Sequence, residues 1–458
     1  MPASDLLQDL ILVYATSLAA IVALARLRVP PVVAMVAAGI LVGPAGFGLV
    51  AQEQVDALAE LGVVFLLFAV GLDFSLAELR RTLGRMVLGG VLQIAVTTAA
   101  VGTAGLALGL PAHVAVFAGL FVALSSTAIV LKTLADRNAL ASPAARLATG
   151  VLLFQDLAVV VLLLLLPILA GRTAEGGAAG LLIRGGLALG LVAAVARLVL
   201  PRLLRSVLAS GRREAFPLAI LVASVGTAWA SAQLGVSMAI GAFLGGLVIA
   251  ESEFSHQAHA EVRPLRDVLS ALFFVSLGLL VDARVVLTHA WAIVGLTVLV
   301  VFVKALTATL ALLPLAPVRI AAMAGLYLAQ VGEFSFILGR AALGIGLIAE
   351  DLWQLLLAAS IGSMLLAAPV IAAAPAVAAR LGRERRRGAP RPARVPASGH
   401  VLVLGFGVGG RLVATTLREL GIDYVVLELN GRTVRAARRE GEPILYGDDT
   451  GPESLRRA

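Results

Sequence analysis

The chain has no cysteine, only two lysines among its 36 basic residues, and few charges of any kind: 14% of its 458 residues are Asp, Glu, Lys or Arg. Without cysteine there is no disulfide, no thiolate metal site, no thiol nucleophile and no thiol redox sensor within the chain. HExxH, GxSxG and TVGYG are also absent, which removes the zinc-protease, serine-hydrolase and potassium-filter signatures. No catalytic constellation stands out, so the chain does not read as an enzyme. A soluble domain carries about 25% charged residues, so the low charge already argues against one.

What replaces charge is apolar length. Hydrophobic residues make up 60% of the chain and the mean hydropathy is +0.99. Runs of about 18 or more apolar residues recur, each long enough to span a bilayer. The pattern predicts about thirteen spans: 5–25, 30–50, 57–76, 86–109, 112–133, 147–170, 179–200, 215–233, 235–250, 267–281, 287–313, 318–346 and 352–379. Gly43-Pro44 threatens to shorten the second, and 267–281 is short. Asp5 and Asp9 precede the first run with no basic residue, unlike a signal peptide, so 5–25 reads as a retained helix. Every second loop is basic, from Arg26 and Arg28 through Arg80, Arg81 and Arg85 to Arg380–Arg387. By the positive-inside rule the N-terminus lies outside and the C-terminus in the cytoplasm.

Residues 1–379 form the expected membrane domain, and 380–398 an Arg/Pro-rich linker. The segment from 380 onward holds 15 basic and 9 acidic residues. Its place after the last span favours anionic lipid headgroups over nucleic acid as the source of attraction. Residues 399–458 then read as strand, helix, strand, helix, strand: 400–405, 409–420, 423–428, 432–440 and 443–446. That is half of a doubly wound nucleotide-binding unit. The expected fold is therefore an all-α polytopic membrane protein followed by a partial α/β Rossmann-like domain.

Ionisable groups inside spans are costly and mark function by default. Three stand out: Asp156 in LLFQDLAVV, Lys304 in VVFVKALT and Glu333 in AQVGEFSFIL. Asp156 lies nine residues from Leu147, and Lys304 nine from Leu313, each counted from the cytoplasmic end of its span. At 1.5 Å per residue both sit roughly 14 Å deep, near the middle of the hydrocarbon. Opposite charges at one depth can meet, and two readings follow. A permanent Asp156–Lys304 ion pair would only fix packing. Alternatively, Asp156 holds a proton or a small cation in turn, and Lys304 neutralises the empty carboxylate. Gln155 can offer a carbonyl oxygen but cannot titrate, leaving one ionisable carboxylate and an electroneutral one-for-one exchange.

Two spans look interrupted. Ser125, Ser126 and Thr127 follow one another, and Gly332 sits beside Glu333. Polar or glycine breaks in corresponding spans of two halves suggest inverted repeats with discontinuous helices at a midplane site. The bland readings are small-residue packing for the hydroxyls and a water-exposed helix-end carboxylate for Glu333. GAFLGGL at 241–247 reads as close helix packing or a dimer contact.

In the tail, Gly405, Gly407 and Gly410 fit GxGxxG after a strand and before a helix. Glycines there let backbone approach a phosphate at a helix N-terminus. Glu428 ends the second strand, where a carboxylate suits ribose hydroxyls and repels a 2′-phosphate, favouring NAD(H) or an AMP-like nucleotide. The alternative is a packing turn that binds nothing.

These motifs, with ALSSTAIVLKTLADR and GAFLGGLVIAESEFSHQAHAEVRPLRDVLSALFFVSLGLLVD, together resemble the bacterial monovalent cation:proton antiporters of the second superfamily, with the strongest similarity to the glutathione-regulated potassium-efflux systems. The resemblance implies K⁺/H⁺ exchange in the inner membrane, with Na⁺/H⁺ exchange, a ligand-gated potassium channel or a non-transporting nucleotide sensor as alternatives. It implies a sodium/proton-antiporter-like fold with crossed helices, a homodimer and an elevator-like motion of a core domain. It assigns ion and proton to Asp156, the membrane lysine to Lys304, and the crossing motifs to Ser125–Thr127 and Gln330–Glu333. No cofactor is implied for transport itself. The tail resembles the regulatory nucleotide-binding (RCK, TrkA-N-like) domain, with Asp448 in its third-strand motif Tyr446-Gly447-Asp448-Asp449. The segment with Glu251, Glu253, His256, His259 and Glu261 resembles the family's regulatory loop, and its His and carboxylate groups are also candidate metal ligands.

Overall fold

The computed structural model describes residues 3–447 except 28, 51, 74–75, 141, 172–176, 213 and 382–398. The chain divides into two compact units, Met1–Gly382 and Arg383–Ala458.

The first unit is helical throughout. It opens with α1 (Ala3–Ala25), α2 (Pro31–Val42), α3 (Gln52–Asp73) and α4 (Leu76–Ala107). Then come α5 (Ala112–Ala123), α6 (Thr127–Ala135), α7 (Pro143–Leu169) and α8 (Gly177–Ala209). The second half holds α9 (Ala215–Gln233), α10 (Met238–Ala250), α11 (Ser255–Leu279) and the short α12 (Ala283–Thr288). It closes with α13 (Ala290–Leu312), α14 (Val318–Tyr327), α15 (Glu333–Gly344) and α16 (Glu350–Leu381). Proline starts several of them: Pro31 and Pro143 occupy the first helical turn, and Pro111 and Pro317 sit at N-caps. Proline suits those places because the missing N–H has no partner in a first turn anyway. α2 stops at Gly43, just before Pro44. α11 begins at Ser255, well before the expected 267, because the charged stretch 255–266 continues as the amphipathic start of the same helix.

Eight stretches among the described residues are long and apolar enough to cross a membrane. Trp229, Trp291 and Phe302 lie exposed on the surface, as side chains facing lipid would. Helix interfaces in lipid rely on close packing, and the glycines supply it in a repeated pattern. A Cβ at Gly39 (α2) would lie 2.2 Å from the carbonyl of Val275 (α11), and one at Gly278 would lie 2.2 Å from the carbonyl of Val36. The same reciprocal crossing joins α10 to α3. A Cβ at Gly246 would lie 2.0 Å from the carbonyl of Phe68, and one at Gly71 would lie 2.1 Å from that of Phe243. In each crossing the touched carbonyl lies three residues before the partner's glycine. The two crossings thus share one geometry. Gly241 and Gly245 pack within the chain against α9 residues Thr227 and Ser231, which accounts for the close-packing reading of 241–247 without a second copy.

Two helices break where hydroxyl and glycine residues stand. Between α5 and α6, Leu124 and Ser126 adopt extended backbone, and the Ser126 hydroxyl accepts the Ile129 N–H at 3.2 Å. This is an N-cap, the usual place for serine. Between α14 and α15 the chain is non-helical from Leu328 to Gly332. The two breaks touch. Gly332 N–H donates to the Leu124 carbonyl at 3.0 Å, and a Cβ on Gly332 would come 2.5 Å from the Ser125 carbonyl group.

In the second unit three parallel strands, β1 (Val401–Leu404), β2 (Tyr424–Glu428) and β3 (Ile444–Tyr446), form one sheet in that order. α17 (Val408–Glu419) and α18 (Gly431–Arg439) connect them. Val403, Val426, Ala414 and Val434 share the buried core.

Candidate ion-binding site

α7 carries Gln155 and Asp156, both buried, and α13 carries Lys304, which has no exposed surface. Both helices pass the crossing of the broken ones. A broken helix exposes unpaired carbonyls at one end and unpaired N–H groups at the other, with matching partial charges. Lys304 answers the first kind of end. Its Nζ donates to the carbonyls of Leu124 at 2.5 Å and Ala123 at 3.3 Å, where α5 stops. Asp156 answers the second. Its two carboxylate oxygens accept the hydroxyl of Thr127, the first residue of α6, at 3.1 and 2.9 Å.

No ion pair joins Asp156 to Lys304 among the described residues, so the permanent pair suggested by their common depth is absent. The reason is local: α5 presents carbonyl acceptors to the ammonium before the carboxylate is reached. Gln155 is tied to the same break. Its carbonyl oxygen accepts the Ser125 N–H at 2.8 Å, and its amide donates to Gln93 at 2.5 Å and to the Ala123 carbonyl at 3.1 Å. It holds the break in place. That carbonyl oxygen keeps a second lone pair that it can offer to a cation.

Ser125 bridges the two breaks, its hydroxyl donating to the Leu328 carbonyl at 2.9 Å. Ser335 donates to the Phe121 carbonyl at 2.7 Å, and Gln330 reaches the Ser126 carbonyl at 3.5 Å. Glu333 opens α15 and is buried, not exposed to water at a helix end. One oxygen each of Glu333 and Gln330 is buried without a hydrogen-bond partner, a state native interiors rarely tolerate. Glu333 directly follows Gly332, whose N–H bonds the Leu124 carbonyl at the first break. Ser125, Ser126, Thr127, Gln155, Asp156, Lys304 and Glu333 therefore gather at one crossing. Unsatisfied buried oxygens beside a carboxylate suit a hard cation or a proton.

Residues not singled out from the sequence complete the site. Gln93 on α4 donates to Thr97 at 3.2 Å and to the Ala123 carbonyl at 3.1 Å, and Thr97 bonds Thr307 of α13 at 2.9 Å. A lone amide in the apolar run VLGGVLQIAVTTAA was the available signal.

In the second unit Gly405 has φ of +85°, where glycine is favoured. A Cβ on Gly410 would strike the Gly405 carbonyl at 2.0 Å, whereas one on Gly407 would meet open space. Backbone conformation thus accounts for Gly405 and close packing for Gly410, and Gly407 lines a cleft of about 730 Å³ with Phe406, Arg411 and Thr433. Glu428 accepts the N–H groups of Phe406 and Asn430, both at 2.6 Å, and so braces the glycine turn; a carboxylate retains further acceptor capacity for ribose hydroxyls. Asp448 lies outside the described residues.

The acidic segment does not assemble a metal centre. Glu251 pairs with Arg197 at 3.4 Å, Glu253 with Arg205 at 3.1 Å, and His259 with Asp73 at 3.4 Å. Among the described residues no three His, Asp or Glu side chains are grouped to hold a metal.

Comparison with known proteins places this geometry. Residues 12–374 match the family described as sodium/hydrogen exchanger, transmembrane, and residues 401–458 match the TrkA-N domain. The chain is 35% identical to the chloroplastic K(+) efflux antiporter 1 of Arabidopsis thaliana over 93% of its own length, but spans only 37% of that protein. It is 32% identical to the glutathione-regulated potassium-efflux system protein KefC of Cronobacter sakazakii, covering 98% of this chain and 73% of that one. The sodium proton antiporter MjNhaP1 of Methanocaldococcus jannaschii, at 15% identity, superposes with a TM-score of 0.62 over 83% of this chain and 99% of its own. The chain belongs to the sodium/hydrogen exchanger family, a membrane-embedded helical protein with the fold of that antiporter and a TrkA-N domain at its end.

Proposed function

We propose that the protein exchanges K⁺ for H⁺ by alternating access, with Asp156 as the shared carrier. The observation that carries this reading is the placement of the buried Asp156 carboxylate at the junction of two broken helices, with Thr127 as its hydrogen-bond partner. A proton and a cation compete for the same oxygens, so binding one releases the other. Lys304 tethers the carbonyl end of α5, Gln155 holds the break, and Ser125, Ser126, Thr127 and Glu333 shape the seat. The choice of K⁺ leans on the potassium-efflux names of the relatives.

The rest of the reading goes with it: thirteen crossings, the N-terminus outside, a homodimer in the bacterial inner membrane and an elevator-like core. The second unit takes NAD(H) or an AMP-like nucleotide at Gly405, Gly407, Gly410 and Glu428, with Asp448 beside them, and controls transport. Purified protein in vesicles with a trapped pH dye tests the cation. Adding external K⁺ should raise the internal pH with no imposed voltage. A response to Na⁺ alone would reassign the ion. Current without proton movement would replace the exchanger with a channel.

A further inference from the structure

A second charged feature lies away from the crossing. The C-terminal part of α8 and the turn between α10 and α11 enclose a cleft of about 460 Å³, lined by Arg197, Arg202, Arg205, Glu251 and Glu253 above Phe254. Three guanidinium groups face two carboxylates. Arg197 is taken by Glu251 and Arg205 by Glu253. Arg202 has no carboxylate partner among the described ion pairs, and its Nη1 donates to the Leu198 carbonyl at 2.5 Å on its own helix. The cleft carries surplus positive charge. Its ion pairs are cheap to rearrange, because the Arg197 and Arg205 side chains are 74% and 66% exposed and such pairs contribute little.

The wall beside the cleft is apolar. Leu191, Val195, Leu198 and Val199 are all exposed along one face of α8, and Leu198 belongs both to that face and to the cleft. Arg202 and Arg205 fall in the last two turns or so of the apolar stretch Gly186–Ala209, where a spanning helix reaches headgroup depth, and Arg197 lies further from that end with a side chain long enough to reach toward them. A ligand with an anionic head and an apolar tail satisfies both surfaces at once; a free anion would leave the wall unused.

We propose that this cleft binds the phosphodiester of an anionic phospholipid, with Arg202 as its standing contact and its acyl chain along Leu191, Val195 and Leu198. Arginine holds phosphate through paired N–H donors, and basic pockets at helix ends attract acidic headgroups. Glu251 and Glu253 compete with the lipid for Arg197 and Arg205. The α10–α11 turn is therefore held by its own carboxylates when the cleft is empty and released from the arginines when the lipid enters. The cation and its carrier play no part in this.

Native mass spectrometry of the full-length protein, titrated with phosphatidylglycerol or phosphatidylcholine, tests it. One phosphatidylglycerol should be retained per protomer in preference to phosphatidylcholine. Arg202→Ala should weaken that retention about tenfold, the loss expected for one charge-assisted contact. Glu253→Gln removes a competitor without cutting into the helix and should tighten it, which keeps the idea testable if Arg202→Ala folds poorly. Equal retention of the two lipids, or Glu253→Gln binding no tighter than the parent, would overturn the proposal. So would displacement of phosphatidylglycerol by equimolar inorganic phosphate, which would make the cleft a free-anion site.

Discussion

Thr127 is the residue on which the chemistry of Asp156 turns. It is the hydrogen-bond partner recorded for both carboxylate oxygens, and hydroxyl donation to a carboxylate strengthens in a dry site. Thr127→Val keeps the shape and removes the donor. In vesicle assays it should raise the K⁺ concentration needed for half-maximal proton movement by about tenfold, the scale of one charge-assisted hydrogen bond, and Thr127→Ser should restore it. Gln93 is the second test at this scale. Gln93→Leu leaves the Gln155 amide short of an acceptor and Thr97 short of a donor, each a buried polar loss of about 1–3 kcal/mol. A lower melting temperature with slower exchange is expected, and Gln93→His should recover part of both. The sequence made Asp156, Lys304 and Glu333 conspicuous because a charge in an apolar run is costly. It was silent on what they touch. Depth alone suggested that Asp156 and Lys304 would meet, but depth does not record the carbonyls at the end of α5, which take the ammonium instead.

Among the elements, the paired breaks do most to create the site. Each turns a spanning helix into two short ones whose ends point polar backbone toward the centre of the membrane, tolerable only where protein encloses it. Gly332 sets their approach. Gly332→Ala would place a methyl 2.5 Å from the Ser125 backbone, where only the backbone could yield, so exchange should be lost even where the protein still assembles. Gel filtration and dye response measured together would reveal this; normal exchange in that variant would mean that the breaks need not touch. Hydroxyl runs and glycine made both breaks visible in the sequence to within a few residues. The start of α11 was not visible, because its first turns are amphipathic and charged, a pattern that also fits a loop. The reciprocal glycine crossings were invisible too: Gly39 with Gly278 and Gly71 with Gly246 match only after the chain is folded.

For the whole molecule, 60% hydrophobic residues in recurring apolar runs pointed to a membrane protein, and the alternation of short strands and helices after the Arg/Pro-rich stretch pointed to a small α/β unit. The number of crossings is harder to read, since short and broken helices carry too few apolar residues to be counted by length. Fold and family now frame the exchange proposal, whose most direct test is one variant. Asp156→Asn keeps size and hydrogen-bonding capacity but cannot exchange a proton for a cation. In vesicles with a trapped pH dye, external K⁺ should raise the internal pH with the parent protein and leave it unchanged with an equally well-assembled Asp156→Asn variant. Undiminished K⁺-driven alkalinisation in that variant would contradict the assignment of Asp156 as the carrier.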